Sequence, residues 1–358
     1  MKRIVVLIVV LLIAGQNSWA ARAKVDSISR DPYVSALVLD ANSGKVLFSE
    51  NPDSVVYPAS VVKLMDLLIV LERIERGENR LDEMVQVTVE AAKTGGSQVY
   101  LDPKEQFSIE DLLYALAVQS ANDAAVALAV HIGGSKDGFV ALMNQKAAEL
   151  GMKNTRFYSV HGLPPSEGQK TDQTTANDLA LLCRALVSRP DVLQYTSTRE
   201  RGFRENKFIM RNHNHLLGQV DGCDGLKTGY FEAAGFSIAA TAKRGGNRVI
   251  AIVMGSKDRK VRDAKTAELL GKGFALLPPK PEPVQVVTAP APESPAETAV
   301  AETASVSQPA VPIQEEEVAD SSEGFGWGTF FLGMMAGILL SGCVAFFSMG
   351  RRPVRGLR

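Results

Sequence analysis

Apolar and polar residues alternate at strand period along Val34 to Asp40 and Lys45 to Glu50, and the Asn42-Ser43-Gly44 turn between them predicts a hairpin. Phe236 to Lys243 and Arg248 to Gly255 repeat that pattern across Gly245-Gly246-Asn247. With a strand that starts near Lys227, they predict a five-stranded antiparallel sheet. Between about residues 60 and 200 the period becomes helical. Val61 to Leu71 is apolar except at Lys63 and Asp66, Ile109 to Val118 is amphipathic, and Ala124 to His131 and Leu179 to Val187 continue the series. The expectation is an α/β (α+β) fold, a sheet packed with helices beside a mainly helical lobe, with no internal repeat.

The ends of the chain read differently. Residues 1–23 combine Lys2-Arg3, an apolar segment from Ile4 to Ala14 and small residues before a cut after Ala20 or Ala23, the pattern of a secretory signal. The globular pattern covers 30–277. Residues 278–324 are rich in Pro, Ala, Val and Glu and are expected to form a disordered linker. Residues 325–349 carry no charge over a length that spans a bilayer as a C-terminal transmembrane helix. Arg351, Arg352, Arg355 and Arg358 fall in the basic tail, 350–358, and the positive-inside rule assigns them to the cytoplasm. The expected location is therefore the cell membrane, single-pass, with the globular part outside the cytoplasm. Gly333, Gly337 and Ser341 share one face of the span. Glycine tolerated in a membrane helix is the favoured reading, and a weak dimer through that face is the alternative.

Charge excludes one class of partner: 39 basic and 40 acidic residues leave no basic surplus for nucleic acid. Four histidines without a carboxylate or cysteine cluster give no reason to expect a metal or cofactor. Export would permit a Cys183–Cys223 disulfide, but two separated cysteines do not require one, and free thiols are preferred.

Chemistry concentrates in three short motifs. Ser60-Val61-Val62-Lys63 opens the first long helix, so residues three apart share a face and the serine hydroxyl lies beside the lysine amine. A lysine acts as base only when neutral, which burial or a cationic neighbour such as Lys227 would bring about. Ser120-Ala121-Asn122 lies between two predicted helices and offers a hydroxyl and an amide to a cleft. Lys227-Thr228-Gly229-Tyr230 is expected at a strand start, where the sheet edge could pair with an extended peptide and Gly229 would admit its backbone.

These motifs, with Pro58-Ala59-Ser60, the stretch from Ser120 to Ala125, Leu142 to Phe157, His161-Gly162-Leu163-Pro164 and Asp224 to Tyr230, resemble the low-molecular-mass penicillin-binding proteins of the D-alanyl-D-alanine carboxypeptidase type. The resemblance covers about residues 30 to 277 and implies a β-lactamase-like fold. It further implies that Ser60 is acylated by a peptidoglycan stem peptide, or by a β-lactam inhibitor, with Lys63 as base. Ser120 and Asn122 would relay protons and hold substrate. The N–H groups of Ser60 and Tyr230 would form an oxyanion hole, and Lys227, Thr228 and Arg262 would bind the terminal carboxylate.

Two positions depart from the family pattern inside the domain. Asp66 stands where relatives carry a small hydroxyl residue, and an ion pair with Lys63 would weaken the base unless Asp66 points away. Phe231 stands where a threonine is common, which bears on substrate preference. A D,D-endopeptidase cutting cross-links is the alternative that the motifs separate least. A β-lactamase is disfavoured by the lack of a Glu-x-x-Leu-Asn element between Leu163 and Thr175, and a non-catalytic penicillin sensor by the short tail after the span. His161 is expected to brace its loop.

Overall fold

The computed structural model describes Ala23 and residues 25–279 of the 358-residue chain. The expected signal, linker, span, tail and small-residue face lie outside the described residues, save for Ala23, Pro278 and Pro279. Strands β1 (Ser35–Asp40) and β2 (Val46–Glu50) lead through a 3₁₀ turn (Ala59–Val62) into α1 (Lys63–Glu75). There follow β3 (Met84–Gln86), α2 (Val89–Ala92), β4 (Gln106–Ser108), α3 (Ile109–Tyr114), α4 (Asn122–Gly133), α5 (Lys136–Glu149), α6 (Ala176–Val187) and α7 (Val192–Thr196). The chain closes with β5 (Glu200–Phe203), β6 (Phe208–Arg211), β7 (Cys223–Phe231), β8 (Gly235–Arg244), β9 (Asn247–Ser256) and α8 (Arg259–Ala275).

The five expected strands form one sheet in the order β2-β1-β9-β8-β7, and every neighbouring pair is antiparallel. This order brings the first strands of the chain against the last, and it leaves β7, which carries the Lys-Thr-Gly motif, as an edge beside the helical lobe. Two cores flank the sheet. On one face Leu37, Leu39, Ile250 and Ile252 join the helical lobe; on the other Ala36, Val38, Ala251 and Val253 meet Leu269 and Leu270 of α8.

Three local expectations change. β1 is not half-exposed: all six of its residues are buried, because α8 covers the face that alternation would have left to solvent. β7 begins at Cys223, so Lys227 sits mid-strand, paired with Ala239 on β8. The helix expected from Ile109 to Val118 stops at Tyr114 and continues as a wide π-turn from Ala115 to Gln119, ending at Ser120 in a left-handed conformation with φ 59°.

Polar caps fix where the helices begin. Ser108, Thr175 and Asp258 each accept a backbone N–H in the first turn of α3, α6 and α8, satisfying donors that a helix start leaves open. The Asp258 cap sets the phase of α8 and so brings Arg262 under the sheet. Cys183 and Cys223 are free thiols, the first buried and the second half-buried. Among the described residues no single helix is long and apolar enough to cross a membrane.

Candidate active site

Ser60 stands on the 3₁₀ turn rather than in a regular helix, and that turn is clamped from two sides by glycines. Ala59 takes φ 48°, a left-handed conformation rare for a residue with a Cβ. A Cβ on Gly162 would lie 2.0 Å from the Ala59 carbonyl oxygen, and one on Gly229 would lie 2.5 Å from that of Pro58 and 3.1 Å from the Ser60 nitrogen. Gly229 is therefore required by contact between β7 and the serine turn within the chain itself, a different reason from the one expected from sequence. Phe231 stacks on Tyr57 with ring centroids 6.0 Å apart and backs the same turn instead of lining the cleft.

Lys63 follows as the first residue of α1 and is 1% exposed. Its Nζ lies 3.0 Å from Ser60 Oγ, 2.7 Å from Asn122 Oδ1 and 2.8 Å from the His161 carbonyl oxygen. Two of those three neighbours can only accept. A neutral amine has two hydrogens, so both are taken by Asn122 and His161, and the lone pair faces the Ser60 hydroxyl. Burial brings the Lys63 pKa down to about 7, against the pull of nearby carboxyls, of which Asp66 acts most strongly, followed by Asp172 and Asp123.

Asp66 follows neither of the two expectations. It is 1% exposed, so it does not point outward, yet it forms no salt bridge and neither of its oxygens has a hydrogen-bond partner. Burial pushes its pKa well above the ordinary carboxylate range, against the opposing pull of Lys63.

The partners of Lys63 are themselves held by carboxyls that the motif reading passed over. Asp123 accepts from the backbone N–H groups of Val99 and Leu101, at 3.2 and 3.0 Å, which ties the 95–101 loop to the start of α4. Asn122 is fixed in the same place: its N–H donates to the Ser97 carbonyl at 2.8 Å and its Nδ2 to that of Gly95 at 2.8 Å. Asn122 thus serves Lys63 first, with at most one Nδ2 hydrogen left for a substrate. Asp172 accepts from the N–H groups of Tyr158 and Ser159 at 2.6 and 2.9 Å, anchoring the loop that presents the His161 carbonyl. The His161 ring braces that loop, its Nδ1 accepting from Leu163 N at 3.1 Å, and burial holds its pKa down to about 3.

Ser60, Ser120, Asn122, Thr228, Gly229, Tyr230 and Arg262 all line one cavity of about 1040 Å³. Ser120 is 2% exposed, brought there by the left-handed turn that ends the π-segment. Lys227 is 3% exposed and donates only to the Thr228 carbonyl, at 3.2 Å. Burial, then Lys63, then Arg262 lower its pKa well below the ordinary lysine value. A poorly paired buried amine of this kind would gain both a partner and its proton from an incoming anion. Arg262 is 2% exposed and is already engaged, with Nε and Nη2 donating to Asp263 Oδ1 at 2.9 and 2.6 Å and Nη1 to the Ser237 carbonyl at 3.3 Å. Tyr230 is 54% exposed and stacks on Phe236, with centroids 4.1 Å apart. Cys223 is not among the cavity-lining residues, and among the described residues no cluster of histidine, cysteine and carboxylate side chains could hold a metal ion.

A family model described as D-alanyl-D-alanine carboxypeptidase, peptidase S11, matches residues 23–258. The chain is 37% identical over 244 residues to D-alanyl-D-alanine carboxypeptidase DacF of Bacillus subtilis, an alignment covering 67% of this chain and 62% of that protein. It is also 37% identical over 284 residues to DacC of Escherichia coli, covering 76% of this chain and 69% of that one. The crystal structure of penicillin-binding protein D2 from Listeria monocytogenes in its ampicillin-bound form superimposes with a TM-score of 0.62 at 34% identity, covering 68% of this chain and 97% of that chain. The chain thus spans less than two thirds of the length of the Bacillus relative.

Gly229→Ala should cost on the order of 1–3 kcal/mol through overpacking against the serine turn, read as a lower denaturant midpoint, and should slow labelling by a fluorescent β-lactam. Unchanged stability and labelling would mean that β7 and the turn do not touch. The labelling rate of the wild type should rise with pH through about 7, as Lys63 loses its proton. Asp66 pulls hardest among the carboxyls that hold the Lys63 pKa up, so Asp66→Asn should lower that midpoint. An unchanged midpoint would show that Asp66 carries its proton and exerts no pull on the ammonium.

Proposed function

Because the chain belongs to the D-alanyl-D-alanine carboxypeptidase family, we propose that it is a serine-type D-Ala-D-Ala carboxypeptidase that removes the terminal D-alanine from peptidoglycan stem peptides through an acyl-enzyme and is inhibited by β-lactams. The observation that carries this reading is the Lys63 amine, buried 3.0 Å from Ser60 Oγ with both of its hydrogens committed elsewhere. An amine so placed is a base and little else.

In the first step the Ser60 hydroxyl proton moves to Lys63 Nζ as Oγ attacks the carbonyl carbon between the two D-alanines. The N–H groups of Ser60 and Tyr230 receive the developing oxyanion, and each donor of this kind is worth roughly 3–4 kcal/mol elsewhere. Close packing of Gly229 on the Ser60 nitrogen keeps these two backbone segments side by side. The proton then passes from Lys63 by way of the Ser120 hydroxyl to the leaving nitrogen, the C–N bond breaks and D-alanine departs. Water attacks the ester, gives a proton to Lys63, and the Ser60–acyl bond breaks to release the shortened peptide and restore the hydroxyl.

Glu200, the one carboxylate among the described residues that line the cavity, is tied to Arg211 at 3.0 Å, so no acid stands ready to speed deacylation. A bound β-lactam should leave slowly, which supports inhibition over a lactamase activity. Lys227 and Thr228 would take the substrate's terminal carboxylate. Arg262 lines the same cavity but is paired with Asp263, so it would add less to that carboxylate than Lys227 does. The signal segment, linker and uncharged span support a working place outside the cytoplasm, tethered to the membrane.

Incubation with a peptide ending in D-Ala-D-Ala should release free D-alanine, and Ser60→Ala should lower that rate by at least about a thousandfold. Penicillin adducts that persist in Ser60→Ala would contradict the assignment. Amidating the peptide's terminal carboxylate should lower kcat/KM about ten- to hundredfold, the worth of charge-assisted bonds to a buried lysine, and Lys227→Ala should erase the difference between acid and amide. An amide cleaved as fast as the acid would shift the reading toward an endopeptidase.

A further inference from the structure

The cleft is larger than the proposed reaction needs. About 1040 Å³ stands at the top of the range for ligand sites, whereas a D-Ala-D-Ala end consists of two small residues. Past Thr228 the cavity continues to a wall formed by residues 199–200 and the 212–219 loop, together with the first turn of α8.

Charge on that wall is one-sided. Four guanidinium groups line the cavity, those of Arg199, Arg211, Arg259 and Arg262, against the single carboxylate of Glu200. Two are neutralised locally, Arg211 by Glu200 and Arg262 by Asp263. The other two are not. Arg259 Nη1 lies 3.3 Å from His215 Nε2, a contact that steadies the side chain over the cleft. The Arg199 side chain makes no hydrogen bond or ion pair among the described residues, and rests against Gly218, where a Cβ would lie 3.0 Å from its Nη1. Arginines elsewhere differ in partner: Arg80 pairs with Asp82 and Arg244 with Asp221, whereas Arg30 and Arg184 donate to backbone carbonyls. The whole chain has a formal net charge of −1, so two unpaired guanidiniums in one cleft are a local arrangement rather than a general basicity.

The substrate's terminal carboxylate is already provided for by Lys227 and Thr228. We propose that Arg199 and Arg259 form a second anion subsite of the cleft, which takes a carboxylate of the peptide substrate other than the C-terminal one. This inference rests on the carboxypeptidase reading and narrows its substrate to peptides with an acidic side chain near the cut. A guanidinium pair suits that group because each fork matches a carboxylate's two oxygens. The carboxylate could stand on the residue before the D-Ala pair or on the leaving residue, and the chemistry of recognition is the same for both.

Three peptides of equal length separate these cases: one uncharged and ending in D-Ala-D-Ala, one with a side-chain carboxylate just before that pair, and one ending in D-Ala-D-Glu. Their kcat/KM values would be measured on the full chain and on Arg199→Gln/Arg259→Gln, and their affinities on Ser60→Ala with and without the same two changes. One of the charged peptides should exceed the uncharged one about tenfold, the worth of one charge-assisted bond. That ratio should fall with added salt, as expected for exposed groups. It should collapse toward one in the glutamine double variant and largely survive in Arg199→Lys/Arg259→Lys, which keeps both charges. The arm that shows the advantage tells on which side of the cut the carboxylate lies. Equal values for all three peptides on the full chain, or an advantage that survives in the glutamine variant, would overturn the subsite. If no peptide is hydrolysed the carboxypeptidase reading falls, while the affinity ratios on Ser60→Ala still decide the subsite.

Discussion

A lysine without water is the constraint on which the rest of this site depends. Lys63 Nζ is held by a side-chain amide 59 positions away in sequence and by a backbone carbonyl 98 positions away. Those two contacts settle which face of the amine meets Ser60. They also oblige the 95–101 and 158–163 loops to be well anchored, and Asp123 and Asp172 do this by binding backbone N–H groups that would otherwise be orphaned on burial. An unfolded lysine binds its proton below its ordinary value of 10.5, whereas this one waits until about 7. Stability therefore falls as the pH drops between those values, by a total on the order of 5 kcal/mol. Function here costs stability, and the wide two-sided packing of the sheet offsets it.

The acids around the base fit the same logic. Asp66 is buried by helix periodicity, one turn beyond Lys63, in a place with no donor for it. Taking a proton is the cheapest response open to such a carboxyl, far cheaper than an unpaired buried charge. That upward shift weakens its pull on Lys63, so an acid that looks incompatible with a lysine base is tolerated once it is buried. Lys227 has the same difficulty with the opposite sign: it is buried and has a single weak partner, and an incoming carboxylate would relieve it.

Much of this was legible in the chain. Alternation around Asn42-Ser43-Gly44 and Gly245-Gly246-Asn247 found four of the five strands in the large sheet, and the three-residue spacing of Ser60 and Lys63 put hydroxyl and amine together before any coordinates. Other features leave no local trace. Ala115 to Gln119 has the composition of ordinary helix, so its π-turn and the left-handed Ser120 were invisible. The His161 carbonyl is a backbone group, which no residue type announces. Asn122 was assigned to substrate because an amide near a catalytic serine suggests it, but the packing of Gly95 and Lys63 on either side claims most of its hydrogen bonds. Gly229 was picked out for access by a substrate backbone, and only the register of β7 beside the serine turn reveals the further reason, what a Cβ there would strike.

The central claim is that Lys63 gives up its proton near neutral pH, far below the ordinary lysine value, and the protonation state of its Nζ tests that directly. Lysine-labelled protein, with the resonance assigned through Lys63→Arg, allows the ¹⁵Nζ shift to be followed from about pH 5 to 11. The account predicts a single titration with a midpoint near 7. A Lys63 that stays protonated up to the ordinary lysine value near 10.5 would contradict it, and with it the assignment of this lysine as the base that activates Ser60.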